Sequence, residues 1–115
     1  MANIAPVPST PDNDADAVIA TWTFTNSDTP TAYNKYGFRD RTVAIAGTWG
    51  SSGEVTFEGS LDGTNYFALH DPFGAALVFT ADGLGAVAEA TQYIKPVITG
   101  ADAALSVVAT LLIQA

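Results

Sequence analysis

The sequence predicts an all-β domain: an antiparallel β-sandwich of about eight short strands, Ig-like or jelly-roll-like, with an extended N-terminal arm. Three observations carry this. Several runs alternate apolar residues with Thr, Ser or Glu. β-Branched and aromatic residues fill those runs. Turn signals built from Gly, Asp or Pro recur roughly every eight to twelve residues, the spacing of an all-β sandwich or barrel.

Residues 1–16 hold Pro6, Pro8 and Pro11 with three Asp. That composition cannot build a core and favours extended, solvated chain. It is read as an arm, disordered alone or laid along a partner, and the sandwich domain is expected over 17–115. "AVIATWTFTN" is the first strand. Val18, Ala20, Trp22 and Phe24 take one side, and Thr21, Thr23 and Thr25 the other. "NSDTPT" breaks it. "AYNKYGFRDR" carries three aromatics and three of the four bases, and is expected to be a long loop or irregular edge.

"TVAIAGTWG" is the next strand, "SSG" a turn, and "EVTFEGS" a strand with Val55 and Phe57 inward. Asp62-Gly63 then predicts a hairpin corner. Gly reaches φ > 0 without steric cost, and Asp bonds to backbone two residues on. "NYFALHD" continues, "PFG" turns, "ALVFTA" is a strand and "DGLG" a turn. A strand from Gln92 to Thr99, the turn "ADAA" and the strand "LSVVATLLIQ" complete the chain.

The charge balance, twelve acids against four bases, gives −8. Nucleic acid and anionic membrane both demand basic surface, so neither is an expected partner. No cysteine is present, which excludes disulfides and thiolate metal sites. The N-terminus lacks the basic and apolar regions of a secretory signal, and no apolar run is long enough to span a bilayer as a helix. Charged residues are only 14% of the chain, so its surface must be poor in charge and suited to packing on other protein.

Chemistry has few candidates. Asp62 lacks the neighbouring acids that a calcium loop requires, so it reads as a turn residue. His70 is the one histidine, and Asp71 beside it could pair with it, but Asp71-Pro72 is also a turn opening. Glu54 and Glu58 share a strand face about 13 Å apart, too far for a glycosidase pair. Trp22, Trp49, Tyr33, Tyr36, Tyr66 and Tyr93 could form a sugar-stacking platform, though core or interface use fits their phases better. "GSSGE" and "DGLG" precede no helix, so they are not phosphate loops. No catalytic residue, metal ligand or cofactor is therefore expected. Lys35, Arg39 and Arg41 form a basic patch suited to an acidic surface on another subunit.

The run from about residue 42 to 113 resembles a class of small tailed-phage virion proteins. The pattern is a strand ending in Gly47-Thr48-Trp49, then Glu58-Gly59-Ser60 with Asp62-Gly63 and Tyr66, then Tyr93 to Gly100 before a terminal hairpin. The resemblance implies a non-enzymatic structural component of the virion. It points to a head decoration (cement) protein on the outer capsid surface, made in the bacterial host cytoplasm. Its implied partners are the major capsid protein and its own copies, as a homotrimer. A tail or neck structural protein, or a carbohydrate-binding β-sandwich module, is the alternative. Expected partner contacts are Pro6, Pro8, Pro11, Trp22, Tyr33, Tyr36, Phe38, Arg39 and Arg41.

Overall fold

The alternating runs pair into two antiparallel sheets whose apolar faces meet. The computed structural model describes residues 3–9, 17–26, 28–34, 40–50, 53–89, 91–99 and 105–114. These residues form twelve strands: β1 (Asn3–Ile4), β2 (Val7–Ser9), β3 (Ala17–Thr25), β4 (Thr29–Pro30), β5 (Tyr33–Asn34), β6 (Asp40–Thr48), β7 (Glu54–Ser60), β8 (Phe67–Ala68), β9 (Val78–Phe79), β10 (Gly83–Ala86), β11 (Tyr93–Thr99) and β12 (Ser106–Gln114). No helix occurs among the described residues.

One sheet has the order β10-β6-β12-β3-β2. The other runs β5-β11-β7-β8, with β9 also on β7. Four antiparallel pairs are nested in the chain: β3 with β12, β5 with β11, β6 with β10, and β7 with β8. β12 also pairs with β6, and β11 with β7. That is the winding of a jelly roll, and it decides between the two sandwich types the sequence allowed.

Period-2 patterning supplies the core. Trp22 and Phe24 of β3, Val43 and Ile45 of β6, and Val107, Ala109 and Leu111 of β12 are buried from the first sheet. Val55 and Phe57 of β7, Ile94 of β11, Leu69 and Leu77 are buried from the second. The Phe57 and Phe79 rings meet edge-on at 5.8 Å. Pro96 falls where β11 has β7 on one side only, so its missing N–H need not break a ladder.

Several sequence expectations change. The strands expected at 17–26, 42–50, 54–60, 92–99 and 105–114 are present to within two residues. "DGLG" is no turn: Gly83–Ala86 forms β10 on the edge of β6. "NYFALHD" yields only Phe67–Ala68, because the chain leaves β7 after two pairs and returns to it at Val78–Phe79. Leu69 and Leu77 stay hydrogen-bonded across the excursion at 2.9 Å. Within the expected arm, residues 3–9 lie on the chain's own sheets. β2 pairs with β3, and β1 runs parallel to β4, with Thr31 donating its backbone N–H to the Ile4 carbonyl at 2.8 Å. The Pro-rich segment fits here because β2 is an edge strand, and Pro8 on an edge discourages further pairing. The expected turn at 101–104 and the remainder of the arm, residues 1–2 and 10–16, lie outside the described residues.

Candidate functional site

The loop at 61–66 joins β7 to β8, and Asp62 organises it. Its Oδ1 accepts from Ser60 Oγ (2.9 Å) and from the backbone N–H groups of Thr64 (2.8 Å) and Asn65 (2.9 Å). Its Oδ2 accepts from Asn65 Nδ2 at 2.9 Å. Ser60 Oγ in turn accepts from the N–H groups of Asp62 and Gly63. Gly63 has φ +80°, with the Tyr93 ring 3.1 Å from where a Cβ would stand. The Asn65 and Thr64 N–H groups, then Ser60 and the Asn65 amide, hold the Asp62 carboxyl far below the ordinary carboxylate range. Asp62 is thus a turn residue, as the sequence indicates. The tight hairpin corner expected at Asp62-Gly63 is corrected to this longer loop, because Asp62 gathers donors from Thr64 and Asn65 and delays the return strand.

Beside this loop lies a cleft of about 720 Å³. Leu61, Phe67, Ala68 and Leu69 make it apolar, and Asp62 and Glu89 are its charged side chains. Gly59 belongs to its wall: a Cβ there would overlap Thr91 Oγ1 and stand 2.8 Å from Leu69 Cδ2, so a larger residue would displace both side chains. Leu61, Phe67 and Phe73 are 75%, 72% and 95% exposed. All three lie on β8 and its flanking loops, which border the second sheet. Sequence reasoning missed them. The signal was a large apolar residue inside a turn: Leu61 just before Asp-Gly, and Phe73 between Pro72 and Gly74.

His70 sits at the root of the 71–75 turn, where it bridges to Ala76. Its partner is Glu89. The His70 N–H donates to Oε1 at 2.8 Å, and Nδ1 lies 2.6 Å from Oε2. The Ala88 N–H donates back to the His70 carbonyl at 2.8 Å. Partial burial pushes the Glu89 carboxyl up, but the bonds from the His70 N–H and ring outweigh it and leave Glu89 below its usual range. Asp71 faces its own turn, accepting from the Phe73 and Ala75 N–H groups at 2.9 and 3.0 Å. Among the described residues no hydroxyl bonds to the imidazole, and no group of three His, Asp or Glu is placed to hold a metal ion. The His–Glu pair fastens the segment after β10 to the excursion from β7.

The expected contact residues fare unevenly. Trp22 is fully buried and its Nε1 donates to the Thr31 carbonyl at 2.7 Å, so it presents no surface. Arg41 is 4% exposed, and its guanidinium donates to the Thr91 carbonyl; burial lowers its pKa. Both expectations are corrected, because both residues occupy inward phases of their strands. Pro6 and Tyr33 are half-buried and Pro8 is exposed. Pro11, Lys35, Tyr36, Phe38 and Arg39 lie outside the described residues. Of the other aromatics, Trp49 Nε1 donates to Asp82 Oδ1 at 2.9 Å, and the Tyr66 ring carries the Lys95 ammonium 4.1 Å from its centroid. Glu54 and Glu58 stand on the outer face of β7, with Lys95 across from Glu58.

No protein-family model matches the chain, and no curated protein sequence matches it. Among solved structures, it is similar to a cupin domain from Bordetella pertussis Tohama I, with a TM-score of 0.49 and 14% identity. The match covers 100% of this chain and 99% of that one.

Proposed function

We propose that the chain is a non-enzymatic structural subunit of a tailed-phage virion, a head decoration protein that binds the outer capsid shell. One observation carries the reading furthest: Leu61 and Phe67 stand exposed at the rim of an apolar cleft, and Phe73 is exposed on the turn that follows β8. Large apolar side chains grouped on a soluble surface mark a protein-binding site. The resemblance over residues 42–113 supplies the virion context, and the major capsid protein is the proposed partner. His70 is bound to Glu89 and, among the described residues, has no hydroxyl on its ring, so it offers no support for a catalytic reading. Trp22 is fully buried and offers no ring face, which leaves the sugar-stacking alternative without one of its two largest rings.

Mechanically, the subunit adds buried area across joints between capsid proteins. Each contact need contribute only a few kcal/mol when many copies act in parallel. Titrating purified protein onto shells that lack it tests the reading. Saturable binding that weakens at least about tenfold in Phe67→Ser and Phe73→Ser supports it. Shells that take up no protein would rule out the decoration role.

A further inference from the structure

The chain holds two Asp-Gly steps, Asp62-Gly63 and Asp82-Gly83, and no Asn-Gly. Among aspartyl steps, Asp-Gly is the most open to isomerisation, because no side chain on the glycine hinders attack. The glycine nitrogen closes on Cγ of the aspartic acid. An N–Cγ bond forms, a Cγ–O bond breaks, and the carboxyl hydroxyl leaves as water with the amide proton. Water then opens the succinimide at either carbonyl. Opening at the backbone carbonyl leaves isoaspartate, whose main chain runs through Cβ and is one carbon longer. The reaction needs a protonated carboxyl, turned onto its own peptide bond, and a glycine nitrogen free to reach it.

Both steps lie where a longer main chain would do damage. Asp62 lines the apolar cleft beside Leu61. Gly83 is the first residue of β10 and pairs with Ile45 of β6, so an extra carbon before it would disturb that register.

The folded loop denies each requirement at Asp62. Oδ1 accepts from Ser60 Oγ and from the N–H groups of Thr64 and Asn65, and Oδ2 accepts from Asn65 Nδ2. Donors on both oxygens favour the ionised carboxylate, which is a poor electrophile. The Gly63 N–H donates to Ser60 Oγ at 2.9 Å. Attack on Cγ must break that bond and those on the carboxylate together. At Asp82 the restraint comes from distant residues. Its Oδ1 accepts from the Gly47 N–H at 3.0 Å and from Trp49 Nε1 at 2.9 Å. Turning that carboxyl onto the Gly83 nitrogen breaks both bonds.

We propose that Asp62 and Asp82 are latent isomerisation sites, held as ordinary aspartates by Ser60 and Asn65 at the first and by Gly47 and Trp49 at the second. The two restraints are independent. One closes within residues 60–65, and the other joins residues 35 and 33 positions apart. The proposal does not depend on the virion assignment.

Ageing the full chain at weakly acidic pH tests it. Isoaspartate is read by isoaspartyl methyltransferase labelling and located by peptide mapping. In the folded wild type each site is expected to isomerise at least about tenfold more slowly than in the same chain unfolded in urea. Ser60→Ala, and Asn65→Ala at an exposed position, should each speed Asp62 at least about threefold and leave Asp82 unchanged. Trp49→Phe keeps the ring but loses the indole donor, and should speed Asp82 by a similar factor and leave Asp62 unchanged. Thermal melts confirm that each variant is folded. A folded wild type that isomerises at either site as fast as the unfolded chain overturns the proposal. So do folded variants that keep the wild-type rates, or that speed both sites alike, since general loosening requires no specific restraint.

Discussion

Glu89 holds His70 at two atoms: Oε1 accepts the backbone N–H at 2.8 Å, and Oε2 lies 2.6 Å from Nδ1. A carboxyl whose pKa is lower in the folded state binds protons more tightly when unfolded. Its stabilisation is complete above the unfolded value of about 4.3 and fades as pH falls through the depressed folded value. Glu89→Gln is therefore expected to lower stability above about pH 5 and to flatten the acid limb of the stability curve. The cost is about 1 kcal/mol or less, since both side chains are partly exposed and solvent screens the pair. Urea denaturation across pH measures it. A variant with an unchanged acid limb contradicts this role.

Asp62 and Gly63 are expected to govern the 61–66 loop without governing the fold. Asp62→Ala removes the acceptor for the Thr64 and Asn65 N–H groups, so those amides should exchange faster. Gly63→Ala forces a Cβ into φ +80° beside the Tyr93 ring and should cost about 1–2 kcal/mol. Hydrogen exchange and melting curves read both effects. Faster exchange throughout the sheets after Asp62→Ala would show that the loop carries more of the fold than its geometry implies.

Trp22 is core, and its truncation should be felt as such. Trp22→Ala is expected to cost about 3–5 kcal/mol, a large part of the roughly 5–15 kcal/mol that holds a domain together. Trp22→Phe keeps most of the volume and loses the bond to the Thr31 carbonyl, for about 1–2 kcal/mol. Chemical denaturation gives both values. If Trp22→Phe keeps full stability but binds shells more weakly, Trp22 is restored as a contact residue.

Arg41 is expected to be structural as well. Arg41→Ala withdraws the guanidinium from the Thr91 carbonyl and should destabilise by about 2–3 kcal/mol. Arg41→Lys should recover part of this, because a single ammonium can still reach one acceptor but lacks the planar fork. Full stability in Arg41→Ala would contradict the assignment.

Strand alternation made much of this legible in advance. The periods in "AVIATWTFTN", "EVTFEGS" and "LSVVATLLIQ" name the faces that carry Trp22, Phe57 and Leu111 into the core. What alternation cannot encode is which strand neighbours which. The jelly-roll winding depends on pairings between residues as distant as Ala17 and Gln114. β10 escaped notice because "GLGA" has turn composition, and only the neighbouring β6 makes it a strand. The His70–Glu89 pair was hidden for the same reason: nineteen residues separate its members, while Asp71 was adjacent.

The most direct measurement is cryo-electron microscopy of the virion assembled in cells that make this chain. The account predicts two-layered β density on the outside of the head, with the Leu61, Phe67 and Phe73 border turned toward the shell. Particles without this chain, or density confined to the tail or the neck, would contradict the decoration role.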